Sequence, residues 1–439
     1  MKAFVSSMGL VLAAACAAGG VYDGVVFDSE KYLSPSALAV SPDKALLYVA
    51  ESDLKQIAVV DLAGNAVAKT FALPAEPTGL AVSSDGARLF VTCASPAGSV
   101  VVIDTAAGTV SSTIAAGNGA TAPVLSPDNA LLYVCNRFLN NVAVIDVATG
   151  GQVASIAVPR EPIAAALTPD GAKLIVANHL PAGRSDVDYC AANVSIIDTA
   201  SRQVAADIVL PNGSGGVRGL ALSPDGAFAY VAHILGRFHM PTTQLERGWM
   251  NTNAMSIVDV AQNKLLNTVL LDDVDNGASN PWGVAVTPCG KYICVTHAGT
   301  HELSVIDWPA LQEKLARLAS GAAPSADYTS ASNVPEDVPN DLSFLVGVRR
   351  RIQLQGNGPR AVAAVGMQAY VAEYFSGTLA KVDLTPDVRR PVTPVALGEE
   401  PAPSKVRLGQ RFFNDASLCF QGWQSCASCH PDARMDALN

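Results

Sequence analysis

Charge is scarce in this sequence. Only 15% of its 439 residues are charged, and 29 Lys plus Arg against 39 Asp plus Glu leave a net charge of −10. That balance leaves no basic excess to attract nucleic acid or an anionic membrane. Long apolar runs are equally rare. One opens the chain, from Ala3 to Ala15 within MKAFVSSMGLVLAAACAAGG, and it falls short of the about 20 residues that span a bilayer. With Lys2 before it and small residues suited to signal peptidase, it reads as an export signal over residues 1–18. Cys16 follows three alanines and is a candidate for lipid attachment, although the expected leucine stands one place early, at Leu12. The expectation is an exported protein, periplasmic or on a bacterial cell surface, with no transmembrane span and no nucleic-acid partner.

Near the other end stands Cys426-Ala427-Ser428-Cys429-His430. This spacing suits covalent haem c: two thiols add across the porphyrin vinyl groups, and the adjoining imidazole ligates the iron. A thiol redox pair and half a zinc site are the alternatives. Zinc would need further ligands, and the remaining residues, PDARMDALN, offer no second pair. Cys426, Cys429 and His430 are therefore the cofactor-binding residues, with His430 the metal ligand. Of the other cysteines, Cys93 and Cys135 read as small core residues. Cys289 and Cys294 flank a turn and are candidates for a disulfide across it, and Cys190 or Cys419 could each bridge to a partner the sequence does not identify.

Between residues 34 and 397 one unit recurs seven times. An apolar strand ends in a Ser/Thr-Pro-Asp-Gly-like turn, a Tyr-Val-type strand follows, and a third strand closes on Asp61, Asp104, Asp146, Asp198, Asp259, Asp307 or Asp383. The turns begin at Ser41, Ser83, Ser126, Thr168, Ser223 and Thr287, with a degenerate seventh at Val365-Gly366. Each marks a hairpin. Four strands per unit, repeated seven times, predict an all-β, seven-bladed β-propeller, since a blade buries both faces only against neighbours. The repeated aspartates read as turn anchors. The motifs Leu-Tyr-Val-Ala, Leu-Phe-Val-Thr and Leu-Tyr-Val-Cys resemble the YVTN family of seven-bladed propellers, a likeness that implies fold and leaves function open.

Departures from the repeat collect in its later units. Turns recur every 42 or 43 residues up to Thr168, whereas Ser223 and Thr287 follow at intervals of 55 and 64. Two insertions follow second strands, Leu180 to Ala192 and Ile234 to Thr252, and a third runs from Trp308 to Val348 and reads as a surface excursion. Loops of this kind carry function. The position just after each second strand is occupied by Glu51, Cys93, Asn136, Asn178, His233, His297 or Glu373, with Arg137, His179, His301 and Tyr374 beside them. Sevenfold geometry would place these around the channel mouth. His233, His297, His301 and Glu373 are candidate catalytic residues or ligands of an additional metal there, and loop closure by polar residues is the structural alternative. Arg237, His239, Arg247 and Trp249 could form a lid, a docking surface or packing.

After Leu397 the composition changes. Residues 398–406 read as a linker and 407–439 as the start of an α-helical c-type cytochrome domain, with Ser404 a candidate helix cap. Gly409, Phe412 and Phe413 provide a small residue and an aromatic pair on the helix. The stretch Leu408 to Asp415, followed by Ser425 to Pro431, resembles the beginning of the di-haem cytochrome c peroxidase family. That likeness implies a distal ligand and a second haem site, and neither appears in the nine residues after His430. Met435 is poorly placed as a sixth ligand, and the segment is expected to be truncated. Three functions compete: haem-based electron transfer to a redox partner protein or small molecule, an oxidoreductase working at the channel mouth or with a second haem, and a cell-surface binding protein.

Overall fold

Seven antiparallel four-stranded sheets, each made of consecutive strands, form a closed β-propeller. The computed structural model describes residues 32–238, 250–321 and 331–434. Blade 1 comprises Pro35–Val40, Leu46–Glu51, Gln56–Asp61 and Ala66–Ala72. Blade 7 comprises Pro359–Val365, Gln368–Glu373, Thr378–Asp383 and Val392–Ala396. The fold is all-β, with a small helical segment at its C-terminal side. Residues 1–18, Cys16, His239, Arg247, Trp249 and Met435 lie outside the described residues.

Position in the blade explains the sequence pattern. The two central strands of blade 1 are buried on both faces and are almost continuously apolar, whereas the outermost strand buries only Phe71. Adjacent blades share their cores, as where Tyr48, Ala50 and Ile57 meet Leu89 and Val91. The innermost strands approach more closely still. A β-carbon on Gly219 would lie 2.1 Å from the Trp282 carbonyl oxygen, and one on Gly283 would lie 2.3 Å from that of Arg360. Glycine is required there by backbone proximity.

Each hairpin is held by its own side chains. The Ser41 hydroxyl donates to Asp43 at 2.5 Å and accepts the Leu46 N–H at 2.9 Å, while Asp43 accepts the Ala45 N–H at 3.0 Å. The pattern recurs at Ser83, Ser126, Thr168 and Ser223. The third-strand aspartates likewise accept backbone N–H groups, as Asp61 does from Gly64 and Asp104 from Ala107. Asp307 instead caps the helix Trp308–Ala319.

That helix corrects the reading of residues 308–348 as a surface excursion. Trp308, Leu311 and Leu315 join Val338, Phe344 and Leu345 in one core with Tyr230 and Ile293, so the insertion is part of the packing of blades 5 and 6. A disulfide between Cys289 and Cys294 is also corrected, because none of the eight cysteines among the described residues forms a disulfide. Cys289 is exposed on its turn and Cys294 is buried in the blade core.

The ring closes without exchanging a strand between its first and last blades. Leu47 and Val49 pack against Tyr370, Ala372 and Val395, and the following segment stitches the seam. Glu400 accepts the Leu33 N–H at 3.1 Å, and the Tyr32 hydroxyl accepts the Ser404 N–H at 2.8 Å. Residues 398–406 therefore lie against the ring. The helix Lys405–Asn414 follows, with the Ser404 hydroxyl accepting the Arg407 N–H at its start.

Candidate functional site

One residue near the start of each innermost strand faces a central cavity of about 480 Å³, the second residue in six blades and the fifth, Arg218, in blade 5. Ser36, Thr78, Thr121 and Ile163 fill this position in the first four blades, and Arg218, Trp282 and Arg360 in the last three. Among the innermost strands, those of blades 5 to 7 therefore supply the cationic and aromatic lining. The Arg218 and Arg360 guanidiniums lie 4.2 and 4.6 Å from the Trp282 ring centroid, and Arg360 also stacks 3.5 Å from that of Tyr374. Arg137, after the second strand of blade 3, lines the same cavity.

The residues closing the second strands do not converge on this channel. His233 Nε2 stands 2.8 Å from the Ser256 hydroxyl and His297 Nε2 stands 2.7 Å from that of Ser304. Glu373 accepts the Gly356 N–H at 2.7 Å and the Thr378 hydroxyl at 2.6 Å. Each contact lies within its own blade or the loop entering it. Successive strand residues point to opposite sides, so the residue one place later reaches the mouth instead. Ser52, Ala94, Arg137 and Tyr374 line the cavity accordingly. His301 Nδ1 accepts the Gly358 N–H at 3.1 Å, and its Nε2 lies 3.4 Å from Asp415. Among the described residues, no group of three or more His, Cys, Asp or Glu side chains is arranged to hold a metal ion.

Burial fixes the charge state of these groups. It pushes the His233 imidazole down to about 4 and drives His297 well below its ordinary value, so both are neutral at pH 7. Burial pushes the Glu51 carboxyl up to about 7, because one of its oxygens has no hydrogen-bond partner. A raised carboxyl binds its proton more tightly in the folded chain than in the unfolded one. Its contribution to stability therefore falls as pH rises from 4.5 through 7. Glu51→Gln should remove up to about 2–3 kcal/mol of this dependence. Thermal unfolding between pH 5 and 8 should show wild type losing stability relative to the variant as pH rises, and parallel curves would contradict the assignment.

The haem-motif segment covers part of the channel mouth. It is tied to the propeller from Asp415 onward: the Gly299 carbonyl accepts the Ala416 N–H at 2.9 Å, and the Gln421 carbonyl accepts the Gly277 N–H at 2.8 Å. Trp423 is 1% exposed, packed among Leu235, Ala254, Leu270 and Leu342. Two asparagines then hold the motif. Asn280 donates to the Ser425 hydroxyl at 2.7 Å and accepts from that of Ser428 at 2.6 Å, and the Asn251 amide lies 3.0 Å from Gln424 and 3.1 Å from the Cys429 sulfur.

Cys426–Cys429 forms a single helical turn. The Cys426 thiol is exposed and that of Cys429 half-buried, and neither is in a disulfide. His430 Nδ1 stands 3.1 Å from the Arg434 carbonyl oxygen. That oxygen only accepts, so Nδ1 carries the proton and Nε2 keeps its lone pair for a metal. The helix Lys405–Asn414 packs on this turn. Gly409 has nothing within 4 Å of where a β-carbon would stand, and Phe412 is 48% exposed.

Beyond His430 the chain turns into the cationic side of the channel. Asp432 pairs with Arg137 and, at 2.8 Å, with Arg218, while His179 Nε2 lies 3.9 Å away. Burial would raise the Asp432 carboxyl, but Arg218, Arg137 and His179 together hold it far below the usual carboxylate range. Glu161 accepts from Arg434 at 2.9 and 3.0 Å and from Arg137 at 3.0 Å. Arg137 and His179 are the mouth residues foreseen from the sequence that do meet here. Arg218, Trp282, Arg360, Glu161 and Asp432 were not foreseen. For Trp282 and Arg360 the signal is the column after the innermost-strand proline, shared with Ser36, Thr78 and Ile163 and legible once the repeats are aligned at that position; Arg218, Glu161 and Asp432 lie outside it.

No family model matches the chain. Over 189 residues, 43% of this chain, it is 28% identical to the protein named hydrazine synthase subunit beta of Kuenenia stuttgartiensis. That match covers 46% of the curated relative, so the chain spans less than half of the relative's length. Among solved structures, hydrazine synthase of Kuenenia stuttgartiensis aligns with a TM-score of 0.70 at 25% identity, over 83% of this chain and 98% of that one. The seven-bladed propeller thus has a low-identity homologue in a hydrazine synthase subunit. No helix among the described residues is long and apolar enough to cross a membrane.

Proposed function

We propose that this chain is an exported haem c-binding electron-transfer protein whose propeller holds the haem-bearing segment in a set orientation. The observation that carries the reading is the donor set: two cysteines one helical turn apart that form no disulfide, then an imidazole whose Nδ1 is engaged by the Arg434 carbonyl. These residues fit covalent haem c, with Cys426 and Cys429 as thioether donors and His430 as the axial ligand. When bound, the haem supplies a one-electron couple. Trp423, Asn251 and Asn280 fix the motif against the blades, and the exposed Phe412, Leu418 and Phe420 provide apolar surface on the same segment for the porphyrin to cover. A redox partner protein or small molecule would exchange electrons there.

The propeller is of YVTN type in this reading, and the tail belongs to a cytochrome of the di-haem peroxidase kind. A second reading, a subunit of a multi-chain oxidoreductase, is favoured by the relative's description as a subunit of hydrazine synthase. Expression of the full chain with a cytochrome c maturation system tests the main proposal. Haem stain should persist through denaturing electrophoresis, and the Cys426→Ala/Cys429→Ala double variant should lose all of it while keeping its circular dichroism. A matured wild-type chain with no Soret absorbance would refute the proposal. Stable co-purification with other redox subunits would favour the second reading.

A further inference from the structure

We propose that the cationic side of the propeller channel is a receptor for a small carboxylate or inorganic oxyanion, held by Arg360 and Arg218 beside Trp282, and that Asp432 partly occupies it. The inference is independent of haem attachment.

Arg360 carries the argument. Its guanidinium faces the 480 Å³ cavity and stacks on Tyr374 and Trp282, yet it forms no ion pair within 4 Å among the described residues. Its Nε is buried without a hydrogen-bond partner. A guanidinium cannot shed its proton at any accessible pH, so a sequestered one must be met by an anion or by water. Stacking on two aromatic rings fixes the plane of the fork and leaves its edge to bind, the geometry in which arginine takes up planar carboxylates and tetrahedral oxyanions.

The neighbouring arginines show which chemistry the site accepts. Arg218 and Arg137 reach the same cavity, and both are paired with the Asp432 carboxylate, delivered from a different part of the chain. One carboxylate is already bound there. Arg360 is the third cation; Tyr374 and the more distant Asp432 act on it, but no carboxylate lies within 4 Å of it among the described residues. Glu76 also lines the cavity, from blade 2, and makes no ion pair with Arg360. It bears on selectivity, because a dianion would meet its charge whereas a monoanion would be repelled less.

Isothermal titration of the full chain in a low-chloride buffer tests this, with acetate, succinate, nitrate and phosphate as separate probes. Saturable binding of one anion per chain is expected, and comparison of the four probes separates carboxylates from inorganic oxyanions. Arg360→Gln should weaken the bound probe at least tenfold, and Arg360→Lys should recover only part of the loss because a point charge replaces the fork. Asp432→Asn should tighten binding by about tenfold by freeing Arg218. Circular dichroism establishes that each variant is folded. No saturable binding by either wild type or the folded Asp432→Asn chain would overturn the proposal, as would unchanged affinity in folded Arg360→Gln.

Discussion

Trp423→Ala is expected to release the haem-motif segment while leaving the propeller folded. Trp423 is the largest fully buried side chain among the described residues, yet its cluster contains only Leu235, Ala254, Leu270 and Leu342. Removing an indole from such a site costs about 3–5 kcal/mol. The loss falls on docking of the tail, because the blades keep their own cores. Backbone amides over residues 416–430 should exchange about 100- to 1,000-fold faster, whereas those of Leu131–Asn136 in blade 3 should not change. Gly277→Ala should act in the same direction, since its β-carbon would stand 2.4 Å from the Trp423 α-carbon. Undiminished protection of the tail in both variants would show that Asn251, Asn280 and Asp432 suffice to hold it.

Arg407→Met is expected to weaken closure of the ring itself. Arg407 is 5% exposed and touches both ends of the seam. It donates to the Ser34 hydroxyl at 2.7 Å and the Tyr374 carbonyl at 2.9 Å, lies 3.6 Å from Asp53, and stacks near Tyr32, Tyr374 and Phe375. Methionine keeps most of the stem but leaves Asp53 and the Tyr374 carbonyl without their cation. Breaking a buried pair from one side costs about 3–5 kcal/mol. For a cooperative unit of this size that lowers the melting temperature by about 4–6 °C. Asp53→Asn in the Arg407→Met background should restore part of the loss, because the stranded carboxylate is then gone. An unchanged melting temperature would mean that the shared core of blades 1 and 7 closes the ring alone.

The repeat was legible because every blade solves the same local problem with the same residues. Ser41 and Asp43 form their turn through contacts within five residues, and the apolar central strands follow directly from burial on both faces. The haem motif was legible for a related reason: its three donors lie within five consecutive residues. The channel was read one residue out of register. His233, His297 and Glu373 bond within their own blades or the loop entering them, while Ser52, Ala94, Arg137 and Tyr374, one place after the corresponding position of blades 1, 2, 3 and 7, face the opening, a distinction of strand facing that composition does not carry. Arg218, Trp282 and Arg360 come from three blades, and only the ring brings them together.

The sequence by itself determined seven blades, their turns, and a Cys-Ala-Ser-Cys-His segment, since each depends on short-range spacing that a linear pattern records. Tertiary structure alone decided that Asp432 enters a cationic channel, that Trp423 anchors the tail, and that Arg407 fastens the first blade to the last. Those contacts join residues hundreds of positions apart, and their energies arise from burial and charge pairing that exist only once the ring has closed.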